Sequence, residues 1–163
     1  MSTVEVPAAA VVRAADAEAL VTGVGIQRLL LDSSDTGGAL SAHRILLRDG
    51  AEGAQPHRHR RASELFYVLS GAIDLLAGGD VLHATEGDMV VVPPDVDHAF
   101  AATPGADGEL LVVVTPGIQR FEFFRDLHRV ASGTAERSVL AANQSGFDNH
   151  PAGAPAQHTW STR

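Results

Sequence analysis

The 163-residue sequence contains no lysine and no cysteine, and all 12 of its basic residues are arginine. These two absences together remove Schiff-base lysines, Walker-type phosphate lysines, thiol nucleophiles, disulfides and cysteine metal sites. Basic charge is scarce as well: 20 acidic residues leave a formal net charge of -8, the opposite of the basic footprint with which a nucleic-acid binder meets phosphate. The one local basic cluster, Arg58, Arg60 and Arg61, is interleaved with histidines. No stretch approaches the roughly 18 to 20 uninterrupted apolar residues of a membrane helix. The opening MSTVEVPAAAVVRAADAEAL carries acids early and has no basic region before its apolar residues, unlike a secretory signal. The expectation is a cytoplasmic protein with neither a nucleic-acid nor a membrane partner. Its chemistry must rest on 8 histidines, the carboxylates and the hydroxyls.

The length suits one ordinary domain, and 45% hydrophobic with 20% charged residues suits a folded core. Short apolar runs broken by Gly, Pro and Asp predict an all-β sandwich or barrel. The expected strands are Ile26–Leu31, Ala39–Leu47, Leu65–Leu69, Ala72–Leu76, Asp80–Ala84, Asp88–Val92, His98–Ala101 and Leu110–Val114, with a turn at Ser70–Gly71 among the breaks. A short helix is expected over Ala14–Leu20. A second, amphipathic helix is expected over Ile118–Val130, with Phe121, Phe124 and His128 on one face, read first as core packing. From Gly133 onward the Ala-, Gly- and Pro-rich chain, with His150, His158 and Trp160, reads as an extended tail pinned at a few points.

The informative segment is Pro56-His57-Arg58-His59-Arg60-Arg61-Ala62-Ser63-Glu64. Strand residues two apart share a face, so His57 and His59 can lean onto one ion. The pair alone is a weak signal, because HxH arises readily by chance. Glu64 follows after four residues and shares a face with Phe66 and Val68. Downstream, Gly87-Asp88-Met89-Val90-Val91-Val92-Pro93-Pro94-Asp95-Val96-Asp97-His98 ends a strand in a rigid turn and opens the next strand with His98. Three imidazoles and a carboxylate are a ligand set for a divalent transition metal. His43, His83 and His128 read as structural or surface histidines. Arg44, Arg48 and Arg60 are candidates for holding an anionic substrate.

These two elements resemble the paired motifs of the cupin superfamily. Gly71 stands in the first motif with His57, His59 and Glu64, with Gly50 one residue further out than usual, and Gly87, Pro93 and His98 meet the second. Asp95 stands where a glycine is usual, and Ala102 where an asparagine is common. The resemblance covers about Gly37 to Pro116. It implies a jelly-roll with the metal inside the barrel mouth, held by His57, His59, Glu64 and His98. The organisation is then residues 1–36 as an N-terminal arm and first strand, 37–116 as the barrel, and 117–163 as the C-terminal helix and tail. Cupins often pair through N-terminal strands, which makes Val4–Val12 the candidate arm of a homodimer.

Such a donor set nearly saturates zinc and leaves one or two positions open on iron, nickel, manganese or cobalt, so it does not select the metal. By parity Phe66, Val68 and Phe100 point inward and predict an apolar pocket suited to a planar aromatic. The run Thr115 to Arg125 is similar to the helix that follows the barrel in small actinobacterial flavonol dioxygenases of the quercetinase type. That second resemblance implies a metal-dependent dioxygenase acting on a phenolic aromatic. Glu64 would be both ligand and base, and Phe121 and Phe124 would close the pocket. The alternatives are a metal-dependent cyclase or isomerase of aromatic polyketides, in which the ion acts only as a Lewis acid, and a non-catalytic small-molecule-binding cupin.

Overall fold

The computed structural model describes residues 9–141 and 144–152. Among the described residues, ten antiparallel strands and one substantial helix account for most of the regular structure. A hairpin of β1 (Ala19–Thr22) and β2 (Gly25–Leu31) leads into β3 (Ser41–Leu47), which pairs with β9 (Gly108–Thr115). The next partner of β9 is β5 (Ser63–Ala77), the longest strand. Along β9 the alternation is strict, with Leu110, Val112 and Val114 inside, as expected for strands with one face on a core. The same parity along β5 turns Glu64, Phe66 and Val68 inward.

β5 joins two sheets. Its first half, to Gly71, lies between β9 and β7 (Met89–Val92), and its second half lies between β6 (Asp80–Thr85) and β8 (His98–Ala102). The turn expected at Ser70–Gly71 is therefore a bend within one strand. A register shift between Val68 and Ser70 supplies the bulge, and Gly71 takes φ 71°, with the position of a Cβ only 1.9 Å from Asp107 O. Bulges bend strands and let the chain pass from sheet to sheet without breaking its ladder. The main core lies between the sheets, where Phe66, Val68, Ile73, Leu75, Phe100, Leu110 and Val112 meet.

The helix expected over Ala14–Leu20 is a turn followed by β1. Pairing with β2 satisfies the backbone there and lets Leu20 pack with Leu29, Phe123 and Phe124. The C-terminal helix α1 spans Phe121–Ala131, starting later than its apolar pattern. Its start is set by Asp32, whose carboxylate accepts the N–H groups of Arg120 (2.9 Å) and Phe121 (3.1 Å), donors that the helix cannot satisfy itself. Phe123 and Phe124 bury against β1 and β2.

The described residues after Gly133 are not simply extended. They form the short helix α2 (Ser138–Ala141), a 3-10 turn (Gln144–Phe147) and β10 (His150–Pro151), which pairs with the two-residue strand β4 (His57–Arg58). His158, Trp160 and the first eight residues of the chain, including most of the Val4–Val12 arm, lie outside the described residues. No helix among the described residues is long and apolar enough to cross a membrane.

Candidate metal centre

Three local features converge on one point. β4 pairs with β8 so that His57 lies opposite His98, His59 follows on the same strand parity, and the inward parity of β5 delivers Glu64. Each of the four offers a ligand atom, and these atoms lie within 4.8 Å of one another. All four residues are buried, His59 and His98 at 1% exposure.

The hydrogen bonds determine which nitrogens face inward. Nδ1 of His57 meets Gln55 O at 2.8 Å, Nδ1 of His98 meets Val96 O at 2.9 Å, and Nδ1 of His59 meets Asp148 O at 2.7 Å. A carbonyl only accepts, so each Nδ1 carries a proton, and each ring in its neutral form presents its Nε2 lone pair to the interior. Two of those nitrogens, on His59 and His98, stand 3.1 and 2.7 Å from the same oxygen, Glu64 Oε2. The third, His57 Nε2, is buried without a partner among the described residues. Three lone pairs and a carboxylate crowded together require positive charge between them, and one divalent cation satisfies all four at once. The donor set fits a metal, and the backbone carbonyls are the outer partners that fix metal-binding imidazoles.

Titration follows the same geometry. Burial, with a contribution from neighbouring His98, pushes His57 down to about 3, which keeps its Nε2 free to bind. Burial opposes ionisation of Glu64, but the hydrogen bonds from His59 and His98 and the charges of His98 and Arg120 outweigh it and hold the carboxyl well below its usual range. Burial also opposes the charge on His98, yet Glu64 raises its pKa overall.

A cavity of about 260 Å³ opens onto this centre through His57 and Glu64. Its walls are mostly apolar, from Leu20, Ile26, Ile45 and Leu47 on the strands, with Phe100 and Phe124 among them. Phe66 and Val68, expected in the pocket by parity, are packed into the main core and do not line the cavity. Their parity is inward as expected, but they lie further along β5 than Glu64, and the Phe66 ring packs 5.5 Å from that of Phe100. Phe121 packs, half-buried, in the cluster between α1 and the first hairpin and does not line the cavity.

None of the arginines named from sequence as substrate holders lines the cavity. Arg44 pairs with Glu109 at 2.6 Å across β3 and β9, and Arg48 and Arg60 are exposed. His43 lies in the cavity wall, its ring 4.8 Å from Phe124, and burial first, then Arg120, lowers it to about 4. His83 is paired with Asp74 on the surface, and His128 donates to Val21 O. Two residues near the centre have no signal in the sequence. Arg120, 5% exposed, is delivered to the cavity by the start of α1. Asp148, 2% exposed, accepts the N–H groups of Arg60 and Arg61 with its carboxylate while its carbonyl holds His59.

Residues 43–114 match the family model of the cupin domain. Among solved structures, an RmlC-like cupin from Shewanella frigidimarina is 28% identical, with TM-score 0.56, over 69% of this chain and 93% of that one. A predicted oxalate decarboxylase from Thermotoga maritima is 21% identical (TM-score 0.57; 65% and 98% covered), and KdgF from a Halomonas species 24% identical (TM-score 0.51; 59% and 82% covered). The latter two likenesses are of fold alone. No curated protein sequence matches the chain. The matched model, the two-sheet fold and the buried three-histidine, one-carboxylate cluster agree: residues 43–114 of this chain form a cupin domain.

Proposed function

We propose that the chain is a metal-dependent enzyme acting on a small phenolic aromatic, as a dioxygenase that adds both atoms of dioxygen to its substrate. The observation that carries this reading is the convergence of His57, His59 and His98 Nε2 with the Glu64 carboxylate at the inner end of an apolar cavity. A divalent transition metal held there supplies Lewis acidity and coordination positions for substrate oxygen.

The chain's own groups divide the remaining work. The apolar walls, with Phe100 and Phe124, exclude water and favour a flat ring over a sugar. Glu64 uses Oε2 toward the two imidazoles, and its other oxygen, Oε1, would accept the phenolic proton as the substrate enters. The backbone carbonyls of Gln55, Val96 and Asp148 hold the three rings in the orientation the donor set needs. The cavity volume suits a compact molecule and not a polymer.

The test is oxygen uptake with a panel of flavonols and simpler phenols, using protein loaded in turn with iron, nickel, manganese, cobalt and zinc. Uptake stoichiometric with substrate loss supports the reading. Turnover that persists under strict anaerobiosis replaces it with Lewis-acid cyclisation or isomerisation, and ligand retention without turnover under any metal replaces it with a binding role.

A further inference from the structure

Arg120 is a buried guanidinium with almost nothing to donate to. Its five N–H groups make one side-chain hydrogen bond among the described residues, a long one of 3.5 Å from Nη1 to His59 Nε2, and its Nε is buried without a partner. The nearest carboxylate oxygen, Glu64 Oε1, is 3.8 Å from Nη1, beyond hydrogen-bonding distance. An arginine is the side chain least able to shed its charge, and an unsatisfied buried guanidinium is costly. The residue is nevertheless held firmly. Its backbone N–H is fixed by Asp32, and its guanidinium lies 5.1 Å over the Phe124 ring.

The single acceptor is also the wrong one for a metal-loaded site, because His59 Nε2 is one of the four converging ligand atoms. Once that lone pair is taken by a cation, Arg120 keeps no side-chain acceptor within hydrogen-bonding distance among the described residues. Charge points the same way. At the inner end of the cavity a divalent ion and Arg120 would face one buried lining carboxylate, Glu64, while the other lining carboxylate, Glu52, is exposed. A cationic recess with apolar walls favours an anionic oxygen carried on an apolar body.

We infer that Arg120 is the specificity-determining anchor of this cavity, binding an anionic oxygen of the ligand, a carboxylate or phenolate, beside the metal position. The inference rests on the functional reading above only in placing a cation among the four ligands. It extends that reading by naming the ligand class, an aromatic oxyanion. Arg120 performs the role that the sequence suggested for Arg44, Arg48 or Arg60, and it does so from the first residue before α1.

Equilibrium binding to zinc-loaded and metal-free protein tests this without turnover. The carboxylate arm compares benzoate with benzamide, and the phenolate arm compares 4-nitrophenolate with 4-nitroanisole. Zinc-loaded wild-type protein is expected to prefer the anion in at least one arm, and the arm that discriminates identifies the oxyanion. Arg120→Gln is expected to weaken that anion about ten- to a hundredfold, the range for a charge-assisted hydrogen bond. The neutral partner should change less than about twofold, and zinc content should stay at one per chain. Arg120→Lys should recover part of the loss. Equal binding of anion and neutral analogue by the wild type in both arms overturns the inference with no variant needed. Undiminished anion binding by Arg120→Gln also overturns it, as does loss of zinc from that variant, which would make Arg120 a support for Glu64. Failure of the dioxygenase reading appears separately, as absent oxygen uptake alongside intact anion discrimination.

Discussion

Replacing His57 with alanine separates what the ligand cluster does for a metal from what it does for the fold. Among the described residues the metal-free ring makes one hydrogen bond, from Nδ1 to Gln55 O at 2.8 Å, and its buried Nε2 has no partner. Loss of one hydrogen bond costs about 1 kcal/mol, and removing an unpartnered buried nitrogen offsets part of the lost packing. The metal-free variant should therefore unfold with a free energy within about 2 kcal/mol of wild type. With metal the comparison changes. At a metal concentration about a thousand times Kd the wild type gains about 4 kcal/mol. Loss of an outer partner of a metal site already costs ten- to a hundredfold in affinity, and His57 is one of only four direct donors. The variant should gain about 1.4 kcal/mol or less under the same conditions. Urea unfolding with and without metal, on both proteins, measures the two increments. An undiminished metal increment in His57→Ala would refute the ligand assignment.

Three further outcomes follow from other parts of the structure. Asp148→Ala removes the acceptor of the Arg60 and Arg61 N–H groups and loosens the carbonyl that orients His59, so metal affinity should fall about ten- to a hundredfold in a chelator competition. Acidification should cost stability through His43. Its unfolded form takes a proton near pH 6.5 while the folded form resists until about 4, so stability is lost as pH falls through this window, by about 3 kcal/mol for this group. His43→Phe should flatten that part of the unfolding profile, and an unchanged profile would contradict a buried neutral imidazole. Gly71→Ala places a Cβ 1.9 Å from Asp107 O at a φ of 71°, and should cost about 3 kcal/mol or more in thermal or urea unfolding.

Much of the centre was legible because it is written locally. His57 and His59 are two apart, Glu64 lies on a strand whose alternation sets its direction, and His98 follows a proline turn. Each of these depends on period and spacing, which a sequence displays. The supports were not legible, because they depend on chain closure. Asp148 reaches His59 across 89 residues, and Asp32 reaches Arg120 across 88. No local pattern at either partner records the other. The misread elements have the same origin. Ser70-Gly71 carries a turn signal, but bulge and turn both need a positive φ, and only pairing with β9 on one side and with β6 and β8 on the other decides between them. Residues Ala14–Leu20 carry a helical composition that the hairpin with β2 overrides. Phe66 and Val68 point inward as their parity demands, yet parity gives direction without depth, and they fill the core instead of the cavity.

The central claim is that His57, His59, Glu64 and His98 together hold one ion. Elemental analysis of protein purified without added metal, repeated after chelation and reloading, tests it most directly. The account predicts one divalent transition metal per chain, removable by chelator and restored on reloading, with the fold retained throughout. A chain that holds no metal at any loading, or that binds it equally well with both His57 and His98 replaced, would contradict it.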